Sequence, residues 1–370
     1  MKKIIYTAFA ATVALASCSK FDEYNTNPDS TTEATAAMLA TGVELRTFES
    51  SGDAKAYISY SALPKYVAYL TEGAMGTQYN SIGRCSFDSY TQWPNYEKMV
   101  EYATGTEYES SYKGLAGFLK AYNAYNLTMQ TGDIPYSEAG RGKEGNVTPK
   151  YDTQEEVFKS ILADLSTAES DFAAGRDFTG DIIYSGSVAK WQKATNVLRL
   201  KVLLSLSNKI TAEQKAEFDA IVKSGPLMES NDDNLQLVYT ETAGTWHPLY
   251  NQTLFNPYTT VSELVVDELK RLSDRRLFYF AEPAAARLAD GAAENEFDAY
   301  VGTNTAADFT VSAAEFQNGM FSPINERYIS EQAGDPYLHL SYAEQCLIIA
   351  EAIELGWTSG DAQTYYENGV

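Results

Sequence analysis

The chain has 370 residues, 44% of them hydrophobic, and a formal net charge of −22. That charge repels phosphate backbones and argues against nucleic-acid binding. The apolar content is enough to bury a large core and excludes a disordered acidic tail.

Lys2 and Lys3 precede an uncharged stretch from Ile4 to Ala16. A membrane span needs about 20 apolar residues, so this stretch is too short to span and fits the core of a signal peptide. Leu15-Ala16-Ser17-Cys18 resembles the bacterial lipobox, in which the cysteine is acylated and becomes the mature N-terminus. Residues 1–17 are therefore expected to be a signal peptide and Cys18 a lipid anchor, since several acyl chains on one residue hold durably. Asp22 and Glu23 behind it resemble the signal that sends Bacteroidetes lipoproteins to the outer face of the outer membrane. Losing residues 1–17 removes two lysines and moves the net charge from −22 to −24.

Residues 18–33 are polar, contain Asn27-Pro28, and read as a tether. A helical domain is expected over 34–370, beginning with a helix from Thr32 to Ser50. A second helix is predicted from Ala54 to Glu72, with a kink at Pro64. Residues 73–106, rich in Gly, Ser, Thr and aromatics, read as a long functional loop. Tyr112, Leu115, Phe118, Leu119, Tyr122, Tyr125 and Met129 recur at helical spacing, and Gly132-Asp133-Ile134-Pro135 stops that helix. Asp152 or Thr153 caps the next, with Glu155 and Glu156 in its first turn. Ser187 caps a third, running to about Asn208. Leu235 to Tyr239 is expected to be a strand, and 240–260 a second aromatic loop. Helix is predicted again at Val261–Leu272, Tyr337–Leu355 and Asp361–Asn368. The fold class is mainly α, paired antiparallel helices with loop-rich insertions and minor β, of the kind seen in tetratricopeptide-type hairpins.

No residue carries a catalytic signature. Gly140-Arg-Gly142-Lys-Glu-Gly145 matches G-x-G-x-x-G, but Pro135 precedes it and Pro149 follows, where a strand and a helix are required. Ser187-Val-Ala-Lys190 matches S-x-x-K without its companion motifs and reads as a helix cap. His247 and His339 are the only histidines and lie far apart, so no His-based metal site is readable and no cofactor is implied. Cys85 and Cys346 show no disulfide framework.

Several segments together resemble the SusD/RagB group of outer-membrane nutrient-binding lipoproteins, and within it the SusD-like branch. They are Gly132-Asp-Ile-Pro-Tyr-Ser-Glu-Ala139, Pro149-Lys-Tyr-Asp-Thr-Gln-Glu155, Ile183-Tyr-Ser-Gly186 and Lys190-Trp-Gln-Lys193 leading to Arg199. Then come Val261-Ser-Glu263, Asp274-Arg-Arg276, Tyr300-Val-Gly302, Ser341-Tyr-Ala-Glu344, Ala350-Glu-Ala352, Gly356-Trp357 and Tyr366-Glu-Asn-Gly369. Ser187 stands where the family often has an acid, and Arg275 where it often has Pro. The resemblance implies a superhelical scaffold of helix hairpins that serves as a lid on a TonB-dependent outer-membrane transporter. It also implies glycan, or sometimes peptide, as ligand. Family members continue past this point, so a further C-terminal portion is expected, and the apolar stripe Leu340, Leu347, Ile348, Ile349 and Ile353 is expected to lie partly uncovered, which favours association.

The abundance of tyrosine, 27 against 16 Phe and 4 Trp, suits a surface that meets polar ligands. Apolar ring faces cover sugar C–H faces while polar groups satisfy hydroxyls. Tyr79, Tyr90, Trp93 and Tyr96 in the first loop and Trp246, Tyr250 and Tyr258 in the second are the candidate ligand-binding residues. The two loops are expected to meet in one site. Trp191 and Trp357 lie in the helical frame and are expected in the core. A surface glycan hydrolase and a structural helix-repeat adaptor without small ligand are the rival readings.

Overall fold

The computed structural model describes residues 34–49, 61–62, 64–70, 85–253 and 256–370. Helix α1 (Ala36–Phe48) starts where the Thr35 hydroxyl accepts the Met38 N–H. Strand β1 (Val67–Tyr69) follows, then a 3-10 turn (Asp88–Gln92) that runs into α2 (Trp93–Ala103). The long hairpin comes next, α3 (Glu109–Thr131) and α4 (Gln154–Ala174), followed by α5 (Val188–Ser205) and α6 (Ala212–Ser224). Strands β2 (Leu235–Leu237) and β3 (Thr259–Val261) lead to α7 (Glu263–Arg271), α8 (Leu277–Phe280), α9 (Ala285–Ala289) and α10 (Phe309–Gln317). Strand β4 (Tyr337–Leu340), α11 (Tyr342–Glu354) and α12 (Ala362–Gly369) close the described chain. The architecture is mainly α, with two small antiparallel strand pairs, β1–β3 and β2–β4, among the described residues.

Partners fall in reverse order along α3 and α4, which makes the hairpin antiparallel. Ser111 meets Arg176, Lys120 meets Asp164, and Thr128 meets Gln154. The two helices approach closely because Gly114 and Gly117 lack side chains. A Cβ on Gly114 would lie 2.9 Å from the Phe172 ring, and one on Gly117 3.3 Å from Ala168 Cβ. Gly132 ends α3 in a positive-φ conformation that glycine adopts without strain. Thr153 begins α4 with a full capping box against Glu156.

The large core runs through α1 to α6 and α11, with Trp191 at its centre. That indole is fully buried against Phe48, Phe118, Phe172 and Tyr184. Trp357 packs edge-on against Phe218 at 5.6 Å in the same cluster, so both tryptophans are core, as expected. A second, smaller core gathers Ala62, Val67, Tyr69, Leu249, Val261, Val266, Leu277, Tyr300 and Ile324 beneath β1, β3, α7 and α8.

The structure corrects four expectations. The helix predicted over 54–72 does not continue through its end. Pro64 and Lys65 form a turn, Lys65 taking a positive φ of 65°, and Val67–Tyr69 pairs with Thr259–Val261. The loop predicted over 73–106 contains α2, whose Trp93, Tyr96, Met99 and Ala103 form a buried helical stripe. Helix α6 was not expected, though Thr211 and Gln214 form a capping box. The helix predicted from Tyr337 begins only at Tyr342, because Ser341 is its N-cap and Tyr337–Leu340 pairs with β2. The apolar stripe, Leu340 on β4 and the rest on α11, is partly covered. Leu340, Ile348 and Ile349 are buried and Leu347 remains exposed.

Candidate functional site

The two family-like segments Gly132–Ala139 and Pro149–Glu155 meet at Asp152. This buried carboxylate accepts hydrogen bonds from the Tyr136 and Ser137 N–H groups and the Ser137 hydroxyl. The Tyr136 hydroxyl donates to Asp164, which also pairs with Lys120. The Lys120 ammonium sits 5.1 Å from the Trp93 ring centre and 4.5 Å from that of Tyr136. The motifs therefore build a structural junction.

Tyr90, Trp93 and Tyr96 belong to that junction. The Tyr90 hydroxyl donates to the Pro135 carbonyl, and its ring lies 4.8 Å from Trp93. Burial pushes the Tyr90 hydroxyl well above its ordinary range. Tyr96 accepts the Asn123 amide at 2.9 Å, and burial raises its hydroxyl as well. Trp93 is 7% exposed and Tyr96 4%. Neither offers a free ring face, so the stacking role expected of them is corrected to packing between α2, α3 and the Pro135–Ser137 segment. Their edges line a groove of about 560 Å³ shared with Glu97, Lys120, Arg141 and Glu144. The G-x-G-x-x-G segment is a 3-10 turn between two positive-φ glycines, Gly140 and Gly145, at the lip of that groove. A second groove, of about 740 Å³, lies at the ends of α3 to α6. The helix N-termini there are capped by their own Thr153 and Thr211, which leaves no ready anion site.

The second aromatic segment behaves differently. Trp246 is 42% exposed. Its Nε1–H donates to the Glu241 carbonyl at 3.0 Å, and Tyr250 meets the indole edge-on at 5.3 Å. The ring is thus fixed in orientation while much of its surface faces water. Backbone bonds fix the segment: His247 N–H to Gln332 O at 2.7 Å, and Asn251 N–H to Ile329 O at 3.1 Å. Gly334 lies so close to His247 that a Cβ would fall 2.8 Å from the imidazole, at a φ of +54°. His247 packs edge-on against Tyr239, and burial lowers its pKa, opposed by the nearby Asp335.

The segment bonded to this loop carries groups that composition and spacing did not single out. Arg327 pairs with Asp335, and its guanidinium lies 5.5 Å from the Tyr279 ring centre and 5.1 Å from that of Tyr328. Trp246, Tyr250, Arg327 and Asp335 thus sit on two loops knitted together by hydrogen bonds. Tyr258 does not join them. It packs edge-on against Tyr69 at 6.3 Å, and its carbonyl accepts the Leu70 N–H, beside the second core. Among the described residues no ring contact links the Trp93 group to the Trp246 group. Cys18 and Tyr79 lie outside the described residues, and so does the lipobox.

A family model described as SusD-like, "Starch-binding associating with outer membrane", matches residues 28–370. A crystal structure of a SusD homolog from Bacteroides fragilis is 41% identical, with a TM-score of 0.84, over 91% of this chain and 71% of that one. A second SusD homolog from the same species is 34% identical, with a TM-score of 0.79, over 91% of this chain and 72% of that one. No curated protein matches. The chain belongs to the SusD-like family.

Proposed function

We propose that this SusD-like chain is a lipid-anchored capture protein on the cell surface that binds glycans and delivers them to a TonB-dependent outer-membrane transporter. The observation that carries the reading is the half-exposed Trp246, held rigid by Glu241 and Tyr250. A fixed aromatic face among hydrogen-bonding side chains is what a sugar ring requires, C–H faces on the indole and hydroxyls on polar neighbours. Membership of a starch-binding, outer-membrane-associated family supports it. The lipobox at Cys18 supplies the anchor, and no helix among the described residues is long and apolar enough to cross a membrane. The protein acts by binding rather than turnover.

Titration of the purified protein with oligosaccharides, followed by product analysis, tests this. Binding with the oligosaccharide recovered intact is expected. Hydrolysis would overturn the capture reading in favour of a surface hydrolase, and failure to bind any glycan would favour an adaptor. Membrane fractionation of a Cys18→Ala variant tests the anchor, and its retention in the membrane in cells lacking the transporter would refute it.

A further inference from the structure

We infer that the glycans taken by this site are uncharged, and that the Arg327–Asp335 pair reads their hydroxyls beside the Trp246 ring. The inference rests on the glycan-capture reading and adds the substrate class and two specificity-determining residues. Arg327 is restrained by two tyrosine rings and one carboxylate. Its side chain is nevertheless 36% exposed, and that of Asp335 is 40% exposed. A guanidinium has five N–H donors. Among the described residues, one side-chain donor of Arg327 is engaged, Nη2 to Asp335 Oδ1, and Asp335 Oδ2 receives none. The pair therefore presents spare donors next to a spare acceptor, with its two charges cancelling.

A sugar hydroxyl both donates and accepts, so neighbouring hydroxyls on one ring can satisfy both halves of such a pair. A carboxylate or sulfate could use only the arginine half and would meet Asp335 as a like charge. The surrounding field points the same way, because the chain carries −22 overall and disfavours an approaching polyanion. Position completes the argument. Gln332 and Ile329 bond the backbone on either side of Tyr250, and Gly334, next to Asp335, packs closely on the imidazole of His247, the residue after Trp246. The indole and the pair thus lie on segments bonded directly to each other, and one oligosaccharide is proposed to touch both.

The test is calorimetry of the full chain with neutral oligomers of glucose, xylose and N-acetylglucosamine, and with oligogalacturonate. Each is titrated into wild type, Arg327→Lys, Asp335→Asn and Trp246→Ala, with unfolding curves confirming that every variant folds. Wild type should bind a neutral oligomer and not oligogalacturonate. Arg327→Lys keeps the charge but loses the planar fork, and should weaken neutral binding about tenfold. Asp335→Asn should narrow the gap between neutral and acidic oligomers. Preference for oligogalacturonate by wild type overturns the inference. So does unchanged neutral affinity in both pair variants while Trp246→Ala binds weakly, a result that leaves the capture reading standing. Failure of every glycan to bind, or wild-type affinity in Trp246→Ala as well, overturns the assignment of this site altogether.

Discussion

Ser137 and Asp152 are joined twice: the Ser137 N–H donates to Oδ2 at 2.7 Å and its hydroxyl to Oδ1 at 2.8 Å. The Tyr136 N–H adds a third bond at 2.9 Å. This clamp ties the turn after α3 to the start of α4. Burial works against the charge, but the bonds from Ser137 and Tyr136 outweigh it and hold the carboxyl at about 2, below its ordinary 3.8. Asp152→Ala leaves the buried Tyr136 N–H and the partly buried Ser137 N–H without their acceptor and should cost about 2 kcal/mol in urea unfolding. The loss should shrink in acid, because the clamp is fully present above pH 3.8 and fades as pH falls toward 2. An Asp152→Ala protein with an unchanged midpoint would show that the clamp does not stabilise the hairpin.

Glu44 of α1 is completely buried, with Oε2 accepting the Ile182 N–H at 2.7 Å and Oε1 left without a donor. Asp181 lies within hydrogen-bonding reach, already accepting N–H groups of Ile183, Tyr184 and Gly186 and the Trp191 indole N–H. Burial first, and the neighbouring Asp181 next, raise Glu44 well above its ordinary 4.5, which favours the protonated form that can donate to Asp181. An acid whose folded pKa is raised destabilises the fold as pH climbs past its unfolded value. Glu44→Gln supplies the same donor without a proton to lose. It should therefore be more stable than wild type at roughly pH 8, with the difference disappearing toward the unfolded pKa. Paired denaturation curves across pH measure this, and a pH-independent difference would refute the shared proton.

His339 carries the opposite slope. Its Nε2 contacts the Phe48 carbonyl, which can only accept, so Nε2 bears the proton and Nδ1 accepts from Tyr122. Burial chiefly, with Lys201 adding to it, lowers this imidazole to about 4. The unfolded chain binds the proton from its ordinary 6.5 downward while the folded one does not. Stability should fall as pH drops from 6.5 to 4, by roughly 3 kcal/mol in full. His339→Gln should remove that part of the acid sensitivity while lowering stability at neutral pH. If wild type and variant lose stability in parallel between these pH values, His339 is not the titrating group.

Local signals made much of this fold legible, and non-local ones hid the rest. Thr153, Glu156 and the stripe Val157, Phe158, Ile161 and Leu165 announce α4, because cap and period lie within a few residues of each other. Strand β1 has three residues, and its partner Thr259–Val261 lies far along the chain, so nothing nearby distinguishes it from helix. In the site, Trp93 and Trp246 look alike by composition. What separates them is that Trp93, Tyr96, Met99 and Ala103 keep a helical spacing, a sign of core that was present but outweighed by the polar residues between them. Arg327 and Asp335 were not legible at all. Their place beside the Trp246 loop depends on backbone bonds from His247 to Gln332 and from Asn251 to Ile329, which no spacing encodes.

The two tryptophans Trp191 and Trp246 should separate stability from binding. Trp191 is fully buried, stacks on Phe172 at 6.0 Å and donates its indole N–H to Asp181 at 2.9 Å. Trp191→Ala opens a large cavity and removes one of the hydrogen bonds to the Asp181 carboxylate, and should cost about 4 kcal/mol of stability. Trp246 contributes one bond to Glu241 and one ring contact to Tyr250, both at the surface. Trp246→Ala should change stability little. Covering about half of the indole with sugar removes on the order of 100 Å² of apolar surface, roughly 2 kcal/mol, so the variant should bind its oligosaccharide about 30-fold more weakly. Unfolding curves and calorimetry on both variants decide the matter. Trp191→Ala should retain affinity in whatever fraction remains folded. A Trp246→Ala protein that is folded and binds as tightly as wild type would move the glycan site away from this loop.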